Sequence, residues 1–104
     1  MNKLVVNNKV AVLYSPGYGS GWSTWNDEKI RDYLCMDRTL AQCVIAGDLL
    51  RAEKIIKEKH HGINCFGLPS LKVKWIDQGH TFEIEEHDGN EVVVVYGKTN
   101  RMVA

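Results

Sequence analysis

The residue types that could do chemistry are concentrated in one uncharged stretch, Tyr14-Ser15-Pro16-Gly17-Tyr18-Gly19-Ser20-Gly21-Trp22-Ser23-Thr24-Trp25-Asn26. Its glycines let the backbone take positive φ and come close to a ligand, so that amides around Gly19 and Gly21 can converge on an anion. Tyr18, Trp22 and Trp25 offer flat faces on which a nucleobase can stack, at roughly 1–3 kcal/mol per base in nucleic-acid complexes. Ser23, Thr24 and Asn26 add hydroxyl and amide groups that can read ribose or phosphate oxygens. Together they point to a nucleotide-like small molecule rather than a lipid. A structural reading competes with this one: the loop folds over the core with Trp22 and Trp25 as anchors, because tryptophan contributes so much buried area. Neither G-x-G-x-x-G nor G-x-x-x-x-G-K-[ST] is present, so no standard phosphate-loop motif is available.

Candidates for catalysis or metal binding are sparse. In the acidic run Glu83, Glu85, Glu86, Asp88 and Glu91, alternation turns Glu83 and Glu85 outward, where Lys72 and Lys74 would give them the charge complement of a solvated sheet. Glu86 falls on the Phe82 and Ile84 side, where a carboxylate needs a partner or contacts a ligand. His80 and His87 sit near turns and read as surface residues. His60, His61 and Cys65 are close in sequence, but no second cluster completes a structural zinc set, and Cys35, Cys43 and Cys65 contain no C-x-x-C pair. No catalytic residue, metal site or cofactor is assigned. An enzyme acting on nucleotides through Glu86, a histidine or Cys65 is kept as an alternative.

The scaffold must hold the loop in place. A chain of 104 residues, 44% hydrophobic and 25% charged, is read as one domain over 1–104. Thirteen basic and thirteen acidic residues cancel, which argues against duplex nucleic acid as a partner. No apolar run approaches the length that spans a bilayer, so neither a membrane partner nor an anchor is expected and the reading is cytoplasmic.

Along the chain, Lys9 to Tyr14 predicts a short buried strand that ends in the turn Ser15-Pro16-Gly17. A short helix follows, capped by Thr24 or Asn26 and ending near Met36. Asp37 and Asp48 cap two further helices, about Arg38 to Ala46 and Leu49 to Lys59, with Gly47 between them as the break of a helical hairpin. The lysines of the last helix read as a solvated face, with a positive rim for an anionic ligand as the lesser alternative. Alternation over Leu71 to Ile76 and Thr81 to Glu86, the turn signal His87-Asp88-Gly89-Asn90 and the valine run in Glu91 to Tyr96 together predict a three-stranded antiparallel meander, which makes the class α+β. Four successive valines suggest that the last strand is covered on both faces, by the first strand and helices or by a second subunit, so a homo-oligomer is expected. Residues 97–104 are expected to be disordered or to pack on a neighbour.

The strand ending Val-Leu-Tyr-Ser, the motif from Gly17 to Asn26, and Phe82-Glu83-Ile84-Glu85-Glu86-His87-Asp88-Gly89 with Glu91 resemble small proteins of tailed-bacteriophage genomes. In those, a tyrosine is common where His87 stands. The broader likeness is to compact phage proteins that sequester nucleotide immune signals such as cyclic dinucleotides or ADP-ribose derivatives. That likeness implies tight binding without turnover in a host-cell cytoplasm. A protein-interaction inhibitor of a host defence protein is the main alternative.

Overall fold

The computed structural model describes residues 2–96 and 102–104. Its centre is β2, Lys9–Tyr14, in which Val10, Ala11, Val12 and Leu13 are wholly buried. Ala11 and Leu13 enter a core shared with the helices, while Val10 and Val12 enter one shared with the second sheet. Burial on both faces explains why this strand shows no polar alternation. It is flanked by β1, Val5–Val6, and β3, Lys72–Asp77, both antiparallel to it. The β1–β2 hairpin turns at Asn7 and Asn8, both with positive φ (52° and 63°). This is the geometry a two-residue hairpin turn requires and that asparagine tolerates.

The helices follow the expected bounds. α1 is Arg31–Met36, α2 Arg38–Ala46 and α3 Leu49–Lys59. The Asp37 carboxylate accepts from the Leu40 amide and the Asp48 carboxylate from the Arg51 amide, and Gly47 at φ 75° ends α2. Before α1 the chain makes two short 3-10 turns, Ser23–Trp25 and Glu28–Ile30. The cap there is Asp27, which accepts from the Lys29 amide at 2.9 Å, and not Thr24 or Asn26. Those two side chains are committed to long-range bonds instead.

A second sheet has the order β5-β4-β6, with β4 at Thr81–His87, β5 at Asn90–Tyr96 and β6 at Met102–Val103. The α+β class therefore holds, but the meander divides. β4 and β5 form the expected hairpin, whereas β3 leaves to pair with β2 in the register Val10↔Ile76 and Leu13↔Val73. Alternation decides which face of a strand is buried and is silent about which neighbour it pairs with. Glu83 and Glu85 consequently lie opposite Val94 and Val92, not Lys72 and Lys74. The strand covered on both faces is β2; in β5, Val92 and Val95 remain 50% and 43% exposed. At the C-terminal end Ala104 is buried, and its amide donates to the His80 carbonyl while its carbonyl accepts from the Gly79 amide. Residues 102–104 thus pack on their own sheet, and the expectation for 97–101 lies outside the described residues. No helix among the described residues is long and apolar enough to cross a membrane.

Candidate functional site

The loop from Ser15 to Asn26 is organised by Glu91, which is 1% exposed. One carboxylate oxygen accepts from the Ser15 amide at 2.8 Å. The other accepts from the amides of Trp22 (2.8 Å) and Thr24 (3.1 Å) and from the Thr24 hydroxyl (2.6 Å). A buried carboxylate must be met by donors, and here four groups meet it. The convergent amides expected to receive a ligand's anion hold an anion of the chain itself. Further bonds close the loop onto the β4–β5 turn: Gly19 N–H to the Asp88 carbonyl at 3.1 Å and Gly17 N–H to Asn90 Oδ1 at 2.7 Å.

The other expected site residues fall into two groups. Trp22 is fully enclosed and its indole N–H donates to the Leu34 carbonyl at 2.8 Å. Its ring is a core anchor with no face left for stacking, as the competing structural reading held. Ser23 is buried beside the Cys35 thiol. Asn26 exchanges two bonds with the Asn64 backbone, at 3.0 and 2.7 Å, and so pins the segment before the 3-10 turn Leu68–Ser70 to the loop. A side chain on Gly21 would run into the Trp25 ring. Tyr18 and Trp25, in contrast, keep open faces. Tyr18 is 76% exposed and stands edge-on to His87, with ring centres 6.5 Å apart. Trp25 is 39% exposed and donates its indole N–H to Glu86 at 2.6 Å. Glu86, expected on the inner side of β4, is exposed, because the strand leaves the core after Ile84, and Trp25 meets it at the surface. That bond first, and the Gly89 amide second, hold its carboxyl below the ordinary glutamate range.

Beside Thr24 opens a groove of about 660 Å³. Arg31, Glu28 and Asp32 form one wall; Ile84, Met102 and Val103 line the other. Arg31 Nε is buried and meets no acceptor among the described residues. At the rim, Lys3 Nζ donates to the Val103 carbonyl at 2.6 Å. A second hollow of about 460 Å³, next to Asn26, gathers Lys29, Lys59, His60 and His61, with Lys59 and His60 also lying against the Tyr33 ring. Burial pushes the Cys35 thiol up to about 12 and raises that of Cys65, so both are held away from the reactive thiolate. Among the described residues no three His, Cys, Asp or Glu side chains are placed to hold a metal ion.

Two residues of this region, Glu91 and Arg31, were not in the expected set. A signal for Glu91 exists in the sequence: it lies opposite Glu86 across the hairpin, on the Phe82 and Ile84 side of a valine strand. A carboxylate in such a place needs donors, and the aromatic loop consists largely of them. Arg31 has no comparable signal, because its surroundings are assembled from α1, β4 and β6. Comparison with family models, with curated proteins and with solved structures returns no match for this chain.

Proposed function

We propose that this chain is a non-catalytic binding protein for a nucleotide-like small molecule, taken into the groove beside Thr24 rather than by the backbone of the aromatic loop. On this reading it sequesters a host immune signal such as a cyclic dinucleotide or an ADP-ribose derivative, as a phage accessory protein would. The single observation that carries it is Arg31, which lines a groove of about 660 Å³ and whose buried Nε meets no acceptor among the described residues. That volume is within the range of small-molecule sites, roughly 300–1,000 Å³. Ile84, Met102 and Val103 supply an apolar side for a base, and Arg31 a fork for one anionic group. Glu28, Asp32 and Glu83, which line the same groove, suit the amino and hydroxyl donors of a base or sugar.

Calorimetry with AMP, cyclic dinucleotides and ADP-ribose isomers tests the reading. The expected result is saturable binding to at least one of them, recovery of that ligand intact by chromatography, and an affinity about ten-fold or more weaker in Arg31→Ala, the scale of a lost charge-assisted bond. Silence across the panel, or an Arg31→Ala affinity equal to wild type, would overturn it. A second reading is supported by the exposed rings of Tyr18 and Phe66, 76% and 77% accessible: a protein-interaction inhibitor that uses them as a hot spot on a host defence protein. A Tyr18→Ala/Phe66→Ala double variant that loses a captured bacterial protein would favour that alternative.

A further inference from the structure

We infer that the outer edge of β5 is a self-pairing site, where a second copy of this chain adds its own β5 antiparallel about a two-fold axis through Val94. β5 has β4 as its only strand neighbour among the described residues, which makes it an edge strand. Edge strands of this length are ordinarily guarded by lysine, proline or a bulge. Asn90–Tyr96 has none of these: its one charge, Glu91, is buried, and the four residues after it are valine.

The hairpin fixes which backbone groups are free. His87 and Asn90 flank the two-residue turn and pair directly, so Asn90, Val92, Val94 and Tyr96 turn their backbone groups towards β4. Glu91 confirms the phase, since its amide points away from β4 and donates to the Ser15 carbonyl at 2.9 Å. Val93 and Val95 therefore present their N–H and C=O groups outward. Ser15 and Gly17 close the Asn90–Glu91 end, which leaves the outward groups of Val93 and Val95 as the open edge, with Val94 between them. A two-fold axis there sets Val93 opposite Val95 of the second copy and Val95 opposite its Val93. Both pairs are of the kind that exchanges two N–H···O bonds, so four bonds form with no change in register.

Charge favours a second copy over another peptide. β5 offers no exposed charge for an acidic or basic strand to read, and none that repels its own image. The nearest carboxylates on the exposed face, Glu83 and Glu85 of β4, would be three strand spacings from their counterparts. That is about 14 Å, beyond the screening length of about 8 Å at physiological salt. The half-exposed Val92 and Val95 gain neighbours in the joined sheet, and a two-fold contact uses one surface twice. This pairing does not depend on the groove taking a ligand.

Sedimentation and light scattering over a concentration series, on the full chain, test it. Wild type is expected at twice the chain mass. Val94→Lys puts two like charges opposite each other at the axis, and Val95→Pro removes an outward donor while sparing the bonds to β4; both are expected at the single-chain mass with native circular dichroism. Hydrogen exchange is a second readout that needs no variant: the Val93 and Val95 amides should be protected at high concentration and lose protection on dilution. A wild type that stays monomeric, variants that fold and remain dimeric, or exchange at those two amides that ignores concentration would each overturn the proposal.

Discussion

Glu91 shows how one side chain can settle the role of a whole loop. Its carboxylate takes up loop amides that the sequence offered to a ligand's anion, and is bonded by Ser15, Trp22 and Thr24. Glu91→Gln keeps the shape but turns an amide NH₂ towards groups that are themselves donors. The expected cost is about 2–4 kcal/mol in urea unfolding, in the range for a charged bond lost with donors left unmet. The environment of Trp25 should change with it, seen as a shift in tryptophan emission, because Thr24 and Trp25 share one 3-10 turn. A Glu91→Gln variant as stable as wild type would show that the loop is held by other means.

At the scale of elements, the loop meets the β4–β5 turn and the segment before Leu68–Ser70 through backbone contacts that only glycine permits. A Cβ built on Gly67 would fall on the Gly21 carbonyl oxygen, and one built on Gly89 on that of Gly19. Gly89 also has φ 83° in the turn with Asp88, so its substitution combines strain with overlap. Gly67, at φ −77°, isolates the overlap. Gly67→Ala should destabilise by about 1–3 kcal/mol, the usual cost of overpacking, and Gly89→Ala by more; thermal melts of the two variants give the comparison. The helices rely on more local devices. Asp37, Gly47 and Asp48 end and begin α2 and α3 within a few residues of chain, and these boundaries were legible directly from the sequence.

The whole molecule is two three-stranded sheets and a helical layer arranged on the two faces of β2. Two groups, Cys35 inside one core and the half-buried Tyr33 packed against the other, have their acidity suppressed: burial raises Cys35 to about 12, and burial with the Asp37 charge raises Tyr33 to about 12. The folded chain keeps these protons while the unfolded chain loses them at ordinary values of 9.0 and 10.0. Their contribution to stability is therefore complete below the ordinary thiol value and is lost as pH rises from there towards 12. Urea midpoints should fall steadily over that interval, and Cys35→Ala should make the fall shallower. A midpoint flat across the same interval would contradict this.

What the sequence by itself determined is whatever depends on neighbours along the chain. That covers the α+β class, the bounds and caps of α2 and α3, the buried β2 and the β4–β5 hairpin. Tertiary structure alone decided the rest. Periodicity assigns faces and not partners, so only the fold could send β3 to β2 and Lys72 and Lys74 away from Glu83 and Glu85. An aromatic, glycine-rich loop carries the same donors and rings whether it grips a ligand or its own chain. The fold spent Trp22 on the core and most of the loop's donors on Glu91, Asp88 and Asn64, and left Tyr18 and part of Trp25 facing outward. The groove at Arg31 joins residues from both ends of the chain, and separation of that kind leaves no local pattern for a sequence to display.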